Sequence, residues 1–258
     1  MVRREKTNYV IQSVSHALDV LEQFTGDADE LGVTELSKRL KLHKNNVFRL
    51  LATLEARGYI EQNRATENYR LGVRCLRLGQ RFVTQMGLLR QARPVMSQVA
   101  QASRETAFIA TLSNGHVIPL DAVEAEQPVR MVARIGEFLP LYCTAVGKMH
   151  LAYGDDALRH GWPETLVKFT EKTIVDRQVL TQQLKKISDT GYAVDLGEHI
   201  EDVRSVAVPV RDYTRAVVGA LAVAGPAYRM SQERIEKEIV PLMLKAGRDL
   251  STRLGFDV

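Results

Sequence analysis

The sequence predicts an α+β chain in two parts: a small helical head closed by a short β-hairpin, and a larger domain with helices packed on one mainly antiparallel sheet. Three observations carry that expectation. Apolar residues recur at helical spacing through residues 13–57. After Thr106 the pattern changes to strand-like runs broken by turn residues. The charge is divided as well. Residues 1–85 hold 14 Lys and Arg against 10 Asp and Glu, whereas residues 86–258 hold 21 of each, so the whole net charge of +4 sits in the first third. A cationic module beside a neutral one suggests a polyanion partner for the first and another task for the second.

A length of 258 residues suits two ordinary domains, and 45% hydrophobic with 26% charged residues is the balance of a folded globular chain. No apolar run approaches the roughly 20 residues that span a bilayer. Met1–Thr7 is basic and polar and leads into an amphipathic segment, so no secretory leader is expected. Two cysteines, Cys75 and Cys143, make neither a disulfide framework nor a four-ligand zinc site. A reducing, cytoplasmic setting, no membrane partner, no metal and no cofactor are the resulting expectations.

In the head, Val14, Ala17, Leu18, Leu21 and Phe24 mark an amphipathic helix over Ser13–Phe24, broken by Asp27-Ala28-Asp29. Thr34 is the expected N-cap of a short second helix, Glu35–Leu40. A turn at Lys41-Leu42 leads into a third helix from Lys44 to Arg57, where Val47, Leu50, Leu51 and Leu54 fall at i, i+3, i+4 and i+7. Gly58 closes it as a C′ residue able to turn left-handed. Tyr59–Gln62 and Asn68–Leu71 read as strands about the turn Asn63–Glu67.

Three helices and a hairpin form the winged helix-turn-helix pattern, which lays its second turn helix in a major groove and its wing on the backbone or minor groove. Charge agrees with it. From Leu36 to Leu54 there are five bases and no acid, and over residues 34–81 eleven bases meet four acids. A helix start favours acids because its dipole is positive there. The third helix instead opens His43-Lys44-Asn45-Asn46, which leaves its tip available to phosphate. Thr34, Lys44, Asn45, Asn46, Phe48, Arg49, Arg64 and Arg70 are therefore the candidate DNA contacts. Asn can pair bidentately with adenine, Arg and Lys with guanine or phosphate, and Phe48 can touch a thymine methyl. Arg64 and Arg70, on the hairpin, suit phosphate better than bases. Plainer roles compete: Asn45 and Asn46 as helix-start stabilisers, Phe48 packed under the wing, and the basic run as a solvated face.

The runs Ile11–Leu21, Leu36-Ser37-Lys38-Arg39-Leu40, Arg49–Tyr59 and Tyr69-Arg70-Leu71-Gly72 resemble the isocitrate-lyase-regulator (IclR) family of bacterial transcription factors. The helix tip departs from that pattern. His43-Lys44-Asn45-Asn46-Val47-Phe48-Arg49 stands where the family commonly shows Pro-Lys-Ser-Thr-Val-His-Arg, so the operator sequence is not carried over.

Gly72–Met86 carries Val73, Leu76, Phe82, Val83 and Met86 as a weak helical stripe, a connecting helix that by the resemblance helps pair two heads and by the plainer reading is a spacer. Leu88–Ala100 continues at helical spacing, with Pro94 expected to kink or restart it. Thr106–Leu112 and His116–Val123 make a hairpin across Asn114-Gly115. Val129–Ile135 is expected as a further strand, Thr144 as the cap of a helix over Ala145–Tyr153, and Thr181–Thr190 as a helix ending at Gly191. Tyr192–Leu196, Ser205–Arg211 and Val217–Ala224 read as strands. Ser231 caps a terminal helix bearing Ile235, Ile239, Leu242, Leu250 and Leu254.

Gly136-x-x-Leu139-Pro140-Leu141, Thr144-Ala145-Val146-Gly147-Lys148, Gly191-Tyr192-Ala193-x-Asp195-x-x-Glu198, Val206–Val210 and Gly225-Pro226 are similar to the same family's ligand-sensing domain, which implies a GAF-like fold. The expected organisation is a winged helix-turn-helix domain over 8–72, a linker helix over 73–87, and a GAF-like effector-binding and oligomerisation domain over 88–258. The resemblance implies an effector pocket lined by Met131, Leu139, Leu141, Ala145, Val146, Asp195, Val203, Ser205, Ala222 and Ala224. Thr144–Gly147 is a small-residue helix start whose unpaired amides can take a carboxylate. Ala222 and Ala224 stand where the family often carries hydroxyls, and Ser205 where a cysteine is common. The more apolar back wall disfavours a small keto acid and favours an aromatic or longer carboxylate. Asp195, Glu198, Glu201 and Asp202 surround His199 in a cluster read either as a metal or ligand gate or as a solvated loop with one carboxylate packed over the pocket; the plain reading is preferred for all but Asp195 and Glu198, which stay candidate effector contacts.

No constellation of an enzyme is present: no nucleophile elbow, phosphate loop, His-Glu-x-x-His or paired-cysteine motif. Cys143 and His150 are weak candidates for a nucleophile pair. The expected function is a ligand-responsive transcriptional regulator, a repressor rather than an activator. It would bind double-stranded operator DNA as a dimer or tetramer and sense a small organic acid. An enzymatic small-molecule-binding domain and a ligand-independent architectural DNA-binding protein are the alternatives; the second leaves the large neutral domain without a role.

Overall fold

The computed structural model describes residues 10–25, 28–85, 87–154, 158 and 165–256, with backbone alone at 80–85. The basic start Met1–Thr7, Asp27 and Met86 lie outside the described residues, as do the side chains of Phe82 and Val83. The chain divides into two units between Gln85 and Met86.

In the first unit, α1 (Gln12–Glu22) runs into a 3-10 turn at Gln23–Thr25 and is followed by α2 (Val33–Leu40) and α3 (Lys44–Ala56). The wing is β1 (Ile60–Gln62) paired antiparallel with β2 (Tyr69–Leu71), and α4 (Val73–Gln85) closes the unit. Val20, Phe24, Leu36, Val47, Leu51, Leu54 and Ile60 form its core, so the α3 stripe faces inward with Leu50 at the margin. The α1 stripe is only half right: Phe24 is buried and Ala17 and Leu21 are partly so, but Val14 and Leu18 are exposed, because the helix turns Val20 to the core instead. α3 ends as its glycine requires. Gly58 has φ 73°, and the N–H groups of Gly58 and Tyr59 donate to the carbonyls of Glu55 and Leu54. The start of α2 differs from expectation: Thr34 is not its cap. The helix begins at Val33 after an extended Gly32, with no side-chain cap. Leu31 and Tyr69 exchange two backbone hydrogen bonds of 2.9 Å, so the preceding chain is pinned to the wing and the helix starts earlier.

The second unit holds α5 (Gly87–Ser103), β3 (Thr106–Ser113), β4 (His116–Val123), α6 (Ala145–Tyr153), α7 (Arg177–Thr190), β5 (Ala193–Asp195), β6 (Val203–Arg211) and β7 (Val217–Pro226). The terminal helix, α8, runs through Gln232–Arg234, a π turn at Ile235–Ile239, and Val240–Arg253. The five strands pair antiparallel in the order β4-β3-β7-β6-β5. Strand alternation gives the sheet two different faces. Val206, Val208, Leu221 and Val223 pack under α5 and α8. Ala207, Ala220, Ala222 and Ala224 pack under α6 and α7. The alanine face brings α6 close to the sheet.

Asn114 (φ 49°) and Gly115 (φ 77°) both turn left-handed between Ser113 and His116, the two-residue hairpin that the sequence predicts. Thr144 and Ser231 cap their helices through side-chain oxygens. α7 starts earlier than expected because Asp176 caps it, accepting from the N–H groups of Gln178 and Val179. Two expectations fail. α5 does not restart at Pro94 but runs through it, with Pro94 and Arg90, whose carbonyl the proline cannot bond, both on the exposed side. Val129–Ile135 is not a strand. Its alternation is real, with Met131 and Ala133 turned inward and Val132 exposed, but the segment finds no neighbouring strand. It crosses the alanine side as a strap, fixed where Thr106 Oγ1 donates to the Met131 carbonyl at 2.6 Å.

Candidate functional site

The first site is the face of α3. His43 is its N-cap, with Nδ1 accepting from the Asn45 N–H at 3.4 Å, so neither Asn45 nor Asn46 supplies the cap through its side chain. Lys44, Asn45, Asn46, Phe48 and Arg49 are all exposed. Phe48 is 56% exposed, which removes the reading that packs it under the wing. The first turn contains no acid. The helix's one carboxylate, Glu55, lies at the far end and accepts from the Gln62 N–H at 3.1 Å. Thr34 is exposed in the first turn of α2, and Arg64 is exposed at the wing tip. Arg70 pairs with Glu61 at 2.7 Å with both side chains more than half exposed, a contact worth ~0–1 kcal/mol that a phosphate can displace.

Sequence reasoning missed the brace behind the wing. Glu30 accepts from Asn63 Nδ2 and Thr66 Oγ1, each at 2.7 Å, and these hydrogen bonds hold its carboxyl below the usual carboxylate range. Its partners lie 33 and 36 residues away, beyond any local pattern.

The second site is a cavity of about 450 Å³ in the larger unit. The strap, the start of α6, the 195–203 segment and the alanine side of the sheet enclose it. Met131, Leu139, Val146, Asp195, Val203, Ser205 and Ala224, all expected at a pocket, line it. Leu141, Ala145, Glu198 and Ala222 do not. Leu141 is drawn away because its backbone is seated on Gly147, where a Cβ would stand 2.3 Å from the Leu141 carbonyl oxygen. Ala145 and Ala222 are sealed in the core beneath α6. Glu198 turns from the cavity to Lys148. Phe108, Pro119, Val132, Ala133, Arg134, Glu137, Phe138, Thr144, His199 and Ile200 complete the lining without having been expected there. Several belong to the strap, whose path only the folded chain defines. Thr144 was legible as a cap but not as a wall residue.

Asp195 ends β5 opposite Ser205. Its Oδ1 accepts from the N–H groups of Gly197 at 2.9 Å and Glu198 at 2.7 Å, which turns the following loop back over the cavity. Burial pushes the Asp195 carboxyl up, against those hydrogen bonds and the Lys148 charge. Lys148, fully buried, donates to Glu198 Oε1 at 2.5 Å and to the Val194 carbonyl at 2.6 Å. Glu198 Oε2 has no partner, and burial raises the Glu198 carboxyl despite Lys148. Thr173 Oγ1 donates to the Glu198 carbonyl at 2.6 Å and Thr170 Oγ1 to that of Gly197 at 2.7 Å, stapling the loop from outside. Burial lowers the His199 imidazole, whose ring meets Phe169 edge-on at 5.1 Å. At the mouth Arg134 and Glu137 form an exposed pair at 3.4 Å. On α6, the Thr144 hydroxyl accepts from the Gly147 N–H at 3.1 Å, leaving the Ala145 and Val146 amides as the unpaired donors of the helix start.

The acidic cluster therefore separates into buried Asp195 and Glu198 and exposed Glu201 and Asp202. Among the described residues no three His, Cys, Asp or Glu side chains are grouped to hold a metal ion, and no helix is long and apolar enough to cross a membrane. The Cys143–His150 pair has the wrong chemistry for a nucleophile and base. Burial pushes the Cys143 thiol up to about 12 and the His150 imidazole down to about 4, so the thiol stays protonated and the imidazole is a poor base.

A family model described as the bacterial transcriptional regulator IclR C-terminal matches residues 80–252, and one for the IclR helix-turn-helix domain matches 13–64. The chain belongs to the IclR family. It is 33% identical over 248 residues to the HTH-type transcriptional regulator KdgR of Escherichia coli strain K12, covering 95% of this chain and 94% of that one. It is 32% identical over 251 residues to the regulator XynR of the same strain, covering 96% and 98%. Among solved structures, an IclR regulator from Alicyclobacillus acidocaldarius is similar with a TM-score of 0.85 at 26% identity, covering 96% of this chain and 100% of that one. An IclR homologue from Microbacterium hydrocarbonoxydans, complexed with 4-hydroxybenzoate, has a TM-score of 0.84 at 25% identity, covering 94% and 99%. The IclR chain is thus a DNA-binding transcriptional regulator with a ligand-binding C-terminal domain, in a family of regulators and not of enzymes.

Proposed function

We propose that this IclR-family chain is a repressor that binds operator DNA as a dimer or tetramer and changes its grip when an organic acid with an aromatic or extended apolar body enters the sensor cavity. The observation that carries the reading is the tip of α3: exposed, cationic, without an acid, and capped by a histidine side chain rather than a carboxylate. Lys44, Asn45, Asn46, Phe48 and Arg49 are the groove-reading set. Thr34, Arg64 and Arg70 serve the backbone, and Val73–Gln85 is the connection. One head covers few base pairs, so two must act together, with half-sites about 34 Å apart or a multiple of that.

The cavity supports the effector half. The Val146 amide at the start of α6 suits a carboxylate, Phe108, Met131, Leu139 and Val203 suit an apolar body, and Asp195, Ser205 and His199 can take a hydroxyl. A cavity lined mainly by such groups favours 4-hydroxybenzoate-like acids over glyoxylate or pyruvate. The effector shifts DNA affinity only by binding two arrangements of the chain unequally.

The test is fluorescence anisotropy on the region upstream of the chain's own gene, at two salt concentrations, with and without acids. A retained upstream fragment whose affinity falls about a thousandfold between about 50 and 200 mM salt supports the reading. Binding that ignores both salt and sequence refutes it. Calorimetric binding of pyruvate with none of any aromatic acid would refute the effector class.

A further inference from the structure

The sheet face bearing the sensor cavity continues past it. Ser205 and Ala224 are paired across β6 and β7, and the next pair on the same face is Val203 with Pro226, about 7 Å further along the strands. There a second cavity of about 500 Å³ opens, bounded by Val129, Arg130, Pro226, Ala227 and Tyr228 and by Met131 and Val203. Those last two residues also line the sensor cavity, so they stand between the two hollows.

The backbone of this divide is fixed. Thr106 Oγ1 donates to the Met131 carbonyl at 2.6 Å and accepts from the Ala125 N–H at 3.2 Å. Arg229 Nη2 donates to the Val129 carbonyl at 2.9 Å while its guanidinium is gripped by both oxygens of buried Glu105 at 2.7 Å. Lifting the strap would break this network. The half-buried Met131 side chain is different: unbranched, with three rotatable bonds, it can turn aside without moving the backbone.

We infer that Met131, against Val203, is an internal gate, and that the effector of this chain is an acid longer than a single ring. Its carboxylate end occupies the sensor cavity, and its second ring passes Met131 to lie on Pro226, Ala227 and Tyr228. The second cavity takes an apolar tail rather than a second carboxylate, because the two acids there, Glu124 paired with Arg130 at 2.6 Å and Asp202 in the wall, outnumber the one base. The inference rests on the acid-binding reading of the sensor cavity.

Calorimetry on the full-length chain with 4-hydroxybenzoate and the two-ring acid 4-phenoxybenzoate tests it. The two-ring acid should bind at least tenfold more tightly. Ala227→Phe, which fills the second cavity, should abolish that gain and leave the one-ring affinity within twofold, which also reports that the variant is folded. Met131→Ala, which removes the gate and fills nothing, should keep the two-ring preference. Equal affinity of the two acids for the parent chain overturns the inference while leaving the acid-site reading intact, as does equal weakening of both by Ala227→Phe or loss of the preference in Met131→Ala. Binding of neither acid overturns both.

Discussion

In the head, Lys44 and Arg49 stand exposed on a helix whose first turn carries no acid, whereas in the sensor domain Lys148 is fully buried against Glu198, and Glu105 is gripped by Arg229 and Arg234. The same chemical groups serve opposite ends. Outward cations contribute little to folding and leave their field for a polyanion, at the mercy of ionic strength. Inward cations are shielded from salt and hold loops in place, but each depends on its partner, since an unpaired buried charge is severely destabilising.

That contrast can be broken most forcefully at Lys148. Lys148→Met should destabilise the sensor domain by about 3–5 kcal/mol in urea unfolding, because it strands the Glu198 carboxylate. The deficit should shrink at lower pH, where protonation removes the stranded charge, and a Lys148→Met, Glu198→Leu double variant should recover most of it. Full stability in the single variant would mean that the inward charges are dispensable.

His150 provides a second handle. Its imidazole titrates near 4 when folded against a usual 6.5, so the unfolded chain takes up a proton that the folded chain refuses. Stability from this group is complete above pH 6.5 and is lost progressively as the pH falls towards 4, by about 3 kcal/mol in all. Unfolding free energies of the parent and His150→Leu chains over that range should differ in slope, the variant being flatter.

Gly147→Ala comes next. Its methyl group would meet the Leu141 backbone at 2.3–2.6 Å, so a loss of about 1–3 kcal/mol is expected, together with weaker acid binding as Leu139 is displaced. The smallest effect on stability belongs to the head. Arg49→Ala should weaken operator binding by ~1–3 kcal/mol and leave the unfolding free energy within about 0.5 kcal/mol. If affinity falls equally on all DNA, Arg49 holds phosphate and not a base.

The two regions also differed in how far they could be read in advance. The head is written in local signals: the i, i+3, i+4, i+7 stripe of α3, Gly58 at its end and the paired strands beyond, all of which the structure reproduces within a residue or two. Hairpin, caps and strands of the sensor domain were equally legible at Asn114-Gly115, Thr144 and Ser231. The strap was misread because alternation reports only that one side faces the core; whether a neighbouring strand exists is a tertiary fact. The cavity was half legible. Residues on strands and helix starts could be placed, but Arg134, Phe138 and His199 arrive on loops, and Lys148 meets a carboxylate 50 residues away. A lysine in a small-residue helix carries no mark of burial.

Each unit's core is assembled from its own residues: the head's from Val20 to Tyr69, the two sensor cores from Leu88 onward. Among the described residues neither core draws on the other unit's buried side chains, as is usual for domains able to fold alone. In evolutionary terms the address and the message are separately editable. A lineage could retarget such a regulator to new promoters by exchanging the leading segment, and an engineer could graft it onto a foreign metabolite detector, without repacking either interior.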